Sequence, residues 1–209
     1  YFKKIEDSKL NINGKDYNFR KFQTFYLRTS KFPNSYGNAY LGYKNNFLYT
    51  VSGDGIFLKI YFDKFNNNEF DAEVINTNLP DLINYDEFYK KSPFGIKDIL
   101  IHNDLLFISY TNEISDDCFN TSILYANLNN DFLEFENFFN PNYCVSKKNV
   151  FGSFVPHSSG GRMTSFDEKN IIFTNGEFGY RAHSQDKKNV FGKIIKINID
   201  TKKTKLLSM

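Results

Sequence analysis

Between Val155 and Ile199 the chain places a histidine (His157), a Gly160-Gly161-Arg162 turn, and a strand-like run ending at Asn175-Gly176-Glu177. A polar loop carrying Gln185-Asp186 follows, and Gly192-Lys193 then opens an alternating strand. These residue types can do chemistry. An imidazole changes charge near neutral pH and can take a proton. A guanidinium presents a planar fork of N–H donors suited to carboxylates and carbonyls. A side-chain amide donates and accepts at once. The polar groups stand at strand ends and in the loops between strands, and loops on a rigid sheet are where binding and catalytic groups collect. No Ser-His-Asp set or metal cluster can be assembled from the remaining residues.

The elements that must position these groups read as hairpins. Asn46–Ser52 and Ile56–Phe62 flank Gly53-Asp54-Gly55, an Asp-Gly turn between β-branched and aromatic runs. Ile96–Ile101 and Leu105–Tyr110 flank His102-Asn103-Asp104, which places His102 in an exposed turn. Ser122–Leu128 and Phe132–Phe138 flank Asn129-Asn130-Asp131. Met163–Phe166 and Ile171–Thr174 flank an acidic turn over Asp167–Asn170, and Gly192–Ile199 and Thr204–Leu207 flank Asp200–Lys203. Helical periodicity is nearly absent; Leu82–Lys90 reads as one short helix or an irregular loop. The pattern predicts an all-β meander: a sandwich, barrel or propeller. Gly37–Asn76, Gly95–Phe138 and Gly161–Ser208 each have the length of a four-stranded propeller blade.

The chain has 209 residues, which suits one domain, or a piece of a larger one, over residues 1–209. A hydrophobic content of 41% is enough for a packed core. Phe and Tyr are abundant beside Asn, Lys and Ile, as an AT-rich genome would encode, so the aromatic count carries no functional signal. The net charge is +2 with no basic patch, which argues against nucleic acid as a partner. No apolar run approaches the ~18–20 residues of a membrane span. The chain opens at Tyr1 without a signal peptide and reads as cut at its start, so the missing signal says little about location. The final hairpin lacks a closing element, as if the chain stopped within its fold. Cys118 and Cys144 lie in turn-rich polar segments without a CxxC or a nearby His. That setting favours a disulfide, with Cα atoms within about 7 Å, over two free thiols, and a bridge would imply an oxidising compartment. Asn120-Thr121-Ser122 fits a glycosylation acceptor, a pattern common by chance.

The block that begins at His157 resembles the glucose/sorbosone dehydrogenase family, soluble quinoprotein sugar dehydrogenases. Their pattern is a His shortly before Gly-Gly-Arg, a strand pair ending in Gly-Asp or Gly-Glu, an Ala-Gln-Asp loop, then Gly-Lys. The counterparts are His157, Gly160-Gly161-Arg162, Asn175-Gly176-Glu177, Gln185-Asp186 and Gly192-Lys193. Upstream, Gly95–Ile99 is similar to the family's Gly-Leu-Leu-x-Ile segment, and Ile108–Thr111 to its Tyr-x-Ser-Tyr-Thr strand. The resemblance is firm over 95–199 and weak over 1–90. It departs in three places. His157 precedes Arg162 by five residues instead of four, and Pro156 replaces Asp or Asn. Ser92, Pro93 or Phe94 stands where the family places a Gln.

The resemblance implies a six-bladed β-propeller, of which this chain is roughly the N-terminal half. It implies oxidation of a sugar or other alcohol with pyrroloquinoline quinone (PQQ), in a periplasmic or secreted protein. His157's counterpart is the general base that removes the hydroxyl proton while a hydride passes to the quinone. Gln185 and Arg162 are the cofactor-binding candidates, and the calcium-binding loop is expected beyond residue 209. Each residue also has a plainer reading. His157 can be a loop histidine, Gln185 a solvated one, Arg162 a fork on loop carbonyls, and Asp186 the holder of the turn before Gly192. Glu177 can face a ligand, and His183 is a weaker base candidate than His157. His157 and Gln185 are expected to face one cavity near the propeller axis. The rival function is a non-catalytic propeller that binds carbohydrate or protein, and fold alone does not separate the two.

Overall fold

The computed structural model describes residues 1–24, 39–53, 55–83, 95–148 and 154–208. It is almost entirely antiparallel β, as the hairpin pattern predicts. A long hairpin, β1 (Phe2–Ile12) and β2 (Lys15–Thr24), turns at Asn13-Gly14, both with positive φ. The first blade contains β3 (Ala39–Lys44), β4 (Phe47–Ser52) and β5 (Phe57–Tyr61). Short β6 (Glu69–Phe70) pairs back with β1, and β7 (Glu73–Thr77) completes the blade against β5. One α-helical turn, α1 (Leu79–Leu82), follows. Of the expected helix or loop over 82–90, residues 84–90 lie outside the described residues, as do Asp54 and positions 92–94.

The second blade is β8 (Ile96–His102), β9 (Leu105–Ser115) and β10 (Cys118–Asn127). Here the single strand expected over Phe132–Phe138 divides in two. β11 (Phe132–Leu133) leaves to pair in parallel with β7 of the first blade, and β12 (Glu136–Phe139) returns to β10. The reason is local. The Asn78 side chain donates to Phe135 O at 3.0 Å and accepts from Phe135 N at 2.7 Å, as a strand neighbour would. Leu133 and Phe135 are thereby buried between the two blades. The third blade is β13 (Gly160–Asp167), β14 (Asn170–Asn175), β15 (Lys193–Asn198) and β16 (Thr204–Ser208). A single helical turn, α2 (Arg181–Gln185), lies in the β14–β15 connection.

The sheets stack face to face. Along β9, Leu106, Ile108 and Tyr110 face Val51, Phe57 and Ile75 of the first blade. Phe107 on the opposite face meets Phe173, Ile195 and Ile197 of the third. This period-2 division explains why β9 reads as a continuous buried run rather than an alternating one. The far face of the first blade, through Leu58 and Ile60, is covered by Phe2 and Phe70 of the hairpin sheet. The first strands of successive blades lie side by side. A Cβ on Gly42 of β3 would sit 2.8 Å from Ile101 Cδ1 of β8, and one on Gly161 of β13 would sit 2.4 Å from Lys97 Cβ. Blades stacked in this way, with their first strands innermost, make a β-propeller. Among the described residues no helix is long and apolar enough to cross a membrane.

Candidate functional site

At one end of the blades the loops are built into a platform. The turn that carries His157 (Pro156–Ser159) leads directly into β13, and the β14–β15 connection packs beside it. Three backbone hydrogen bonds lock the two. Val155 N donates to Phe178 O at 2.7 Å, Phe178 N to Ser158 O at 3.1 Å, and Gly176 N to Ser159 O at 2.8 Å. Thr121 Oγ1 of β10 also donates to Ser159 O, at 2.7 Å. The motif glycines make this fit possible. A Cβ at Gly176 would lie 1.9 Å from Ser158 O, and one at Gly160 2.6 Å from Gly176 N. Gly160 and Gly161 both have positive φ, and the β13–β14 register shifts there.

Beneath the platform lies an aromatic cluster of Phe119, Phe178, Tyr180 and Phe191, with Phe154 against it. Phe178 is fully buried with φ 54, a conformation unfavourable for a bulky side chain and held here by its packing. The Cys118–Cys144 disulfide, with a Cα separation of 5.1 Å, fixes one flank. Beside it Phe119 and Val145 exchange backbone hydrogen bonds, and the Asp117 carboxylate accepts from Ser146 Oγ and Lys147 N. The Tyr180 hydroxyl reaches Ser146 O at 2.5 Å, tying the disulfide loop to the entry of α2.

Much of the family-like block therefore works as scaffold. Lys193 is 2% exposed, and its Nζ donates to His183 O, Ser184 O and Phe191 O at 2.7–3.1 Å, closing the C-terminal end of α2. Burial lowers its pKa. Asp186 holds the next turn, accepting from Lys188 N at 2.9 Å and Asn189 Nδ2 at 3.0 Å. The Lys188 backbone bond, with help from Asn189, keeps that carboxyl below its ordinary pKa. What this scaffold presents to solvent is His157 and Gln185, both exposed and without side-chain hydrogen bonds among the described residues. Glu177 is half-buried between them in sequence. The His183 ring lies against Tyr180 and Phe191, 6.0 and 5.6 Å between centroids.

Two expectations are corrected. Arg162 does not fork onto loop carbonyls. Its Nη1 donates to Asp98 Oδ1 of β8 at 3.0 Å, and its guanidinium lies 5.3 Å from the Tyr40 ring centroid of β3. The reason is the double-glycine bulge, which brings β13 onto β8 and offers a carboxylate in place of loop carbonyls; Asp98 also accepts from Met163 N at 2.7 Å. His102 is not exposed but 7% accessible, because its turn abuts the third blade. Its Nδ1 is 2.8 Å from Ser165 Oγ and its Nε2 3.0 Å from Glu168 O. Asn120, by contrast, fits the reading of its motif as a chance match: it is fully buried, and its Nδ2 donates to Asn140 Oδ1, Pro141 O and Tyr143 O, so the folded chain offers no glycan acceptor there.

Sequence reading missed Lys97. It lies on β8 with its stem against Gly161, and burial holds its pKa down to about 8. The available signal was a lysine where the family-like segment has Leu. It also missed the unpaired amide of Asn175 and the unpaired hydroxyls of Thr111 and Ser159, all buried near the platform. Unpaired buried polar atoms are uncommon, and they cluster where function or bound water explains them.

The stacked blades and their loop-end platform define a β-propeller. A family model for glucose/sorbosone dehydrogenase matches residues 72–205, and the chain belongs to that family. It is similar to a crystal structure of a glucose dehydrogenase at 17% identity and TM-score 0.54, covering 76% of this chain and 43% of that one. It is also similar to the soluble aldose sugar dehydrogenase from Escherichia coli in its apo form. There the identity is 16% and the TM-score 0.52, over 78% of this chain and 47% of that one. The chain thus spans less than half the length of either structure. No curated protein matches it by sequence.

Proposed function

We propose that the chain is part of a quinoprotein-type oxidoreductase that oxidises a sugar or other alcohol with PQQ, His157 being the general base. The observation that carries this reading is an imidazole left open to solvent on a turn whose backbone is bonded on both sides. Such a base loses little freedom on meeting a substrate. The donor set fits an anionic, carbonyl-bearing quinone. The Arg162 side chain is 71% exposed and has only Nη1 on Asp98, leaving most of its fork for a carboxylate. Gln185 offers an exposed amide at the same end of the third blade, and we propose that it faces one cavity with His157. When bound, the quinone would take the two electrons of the alcohol. His157 would take the hydroxyl proton, an O–H bond breaking as an N–H bond forms. Among the described residues no three His, Cys, Asp or Glu side chains form a metal site. The disulfide supports a periplasmic or secreted location.

A second reading, a non-catalytic propeller that binds carbohydrate or protein, is favoured by two observations. His157 has no side-chain partner among the described residues to fix its tautomer, and Pro156 precedes it where the classical enzymes carry Asp or Asn. Dye-linked turnover by the whole protein, across a panel of aldoses and alcohols with PQQ and Ca²⁺, separates the two. Quinone-dependent turnover is the expected result. No turnover with any substrate would favour the binding module.

A further inference from the structure

A separate cavity of about 240 Å³ opens between α1 and the second blade. It lies on the blade face turned toward the first blade, the face of Tyr110 and Leu124. The His157 turn packs against the opposite face, through Thr121. The cavity walls are Asn112, Glu113, Asn137 and Asn140, with the Tyr110 ring and Ile114 beside them.

The polar wall is fixed from behind. Asn140 Oδ1 accepts from Asn120 Nδ2 at 3.0 Å and Ser122 Oγ at 3.2 Å, which sets its amide and leaves its NH₂ free. Asn112 donates to Ser122 Oγ at 3.2 Å, leaving its oxygen free. Glu113 Oε1 accepts from Asp117 N at 3.2 Å, leaving Oε2 free. The Asn137 side-chain amide makes no hydrogen bond among the described residues. Burial pushes the Tyr110 phenol up to about 12, so it stays a neutral donor. The cavity therefore alternates unspent donors and acceptors beside an aromatic and an aliphatic surface, on a network that needs no rearrangement.

We propose that this cavity binds a small neutral polyhydroxylated molecule, a monosaccharide or polyol, at a site distinct from the His157 platform. Hydroxyl groups match amides that donate and accept and a carboxylate that accepts, and a C–H face matches Tyr110 and Ile114. The single carboxylate disfavours anions, and one carboxylate among amides is too little charge to hold a divalent cation tightly. The volume lies below the ~300–1,000 Å³ of ordinary ligand pockets, which limits the occupant to about one sugar ring.

The test is an NMR titration of the whole protein with glucose, mannitol, gluconate and CaCl₂, read at the side-chain amides. Glucose or mannitol should shift the resonances of Asn112, Asn137 and Asn140 with a Kd on the order of millimolar. Asn137→Ala and Glu113→Gln should each weaken that binding about tenfold, and His157→Ala should leave it unchanged. The Asn137 side chain is exposed and has no hydrogen bond among the described residues, so its variant should fold normally. The proposal is overturned by unmoved amides with both neutral ligands, by a response to gluconate or CaCl₂ alone, or by binding that survives Asn137→Ala.

Discussion

β8 and β13, the inner strands of adjacent blades, meet at both ends, and a histidine marks each meeting. At the turn end His102 is buried, and both ring nitrogens are bonded to the third blade. At the loop end His157 stands exposed with neither nitrogen engaged among the described residues. One is a joint and the other, in the function we propose, a base, although the sequence presents both in polar turns. Burial and hydrogen-bond expenditure, more than residue type, separate a structural histidine from a chemical one.

The comparison can be broken in several ways. Opening the Cys118–Cys144 bridge, by reduction or as the double Cys→Ser variant, should have the largest effect, about 3 kcal/mol in denaturant unfolding. Limited proteolysis should then cut the loop-end segments before the turns at the other end; early cutting at the His102 turn would contradict the proposed division. Gly176→Ala should cost about 2–3 kcal/mol, because its Cβ would meet the Ser158 carbonyl. A wild-type midpoint in that variant would show that the two loops are not locked through this glycine. His102→Leu should cost about 2 kcal/mol by leaving Ser165 and Glu168 without their partner; an unchanged midpoint would remove His102 as a joint.

A further effect, read as a change with pH, concerns Lys97. Burial holds its pKa at about 8, below the ordinary 10.5. Its contribution to stability is therefore complete above pH 10.5 and is lost as pH falls through 8. Tyr110, whose pKa is raised to about 12, acts oppositely but only above pH 10. Thermal midpoints should rise between pH 8 and 10 in the wild type, and Lys97→Met should flatten that rise. A rise of equal size in the variant would assign it elsewhere.

Much of the fold was visible in the sequence because hairpins announce themselves locally. Asn103-Asp104 and Glu168-Lys169 turn where the pattern places them, and the three blade-length segments coincide with three blades. The departure of β11 to the first blade was not visible, since it depends on a long-range bond between Asn78 and Phe135. The disulfide could be inferred from the polar settings of its cysteines. Site residues were harder to sort. Gly160, Gly161, Gly176, Asp186 and Lys193 stood out by motif and are scaffold, whereas Lys97 and the pairing of Arg162 with Asp98 arise only where β8 meets β13. No local pattern reports which blade face a side chain joins.

The central claim is the division between the two histidines. It is tested by measuring dye-linked sugar oxidation and the unfolding midpoint in the whole protein for His157→Ala and His102→Ala. The account predicts that His157→Ala lowers turnover by ~10²-fold or more, the scale of losing a general base, at an unchanged midpoint. His102→Ala should lower the midpoint while activity per folded molecule persists. Full activity in His157→Ala, or a catalytic loss confined to His102→Ala, would contradict it.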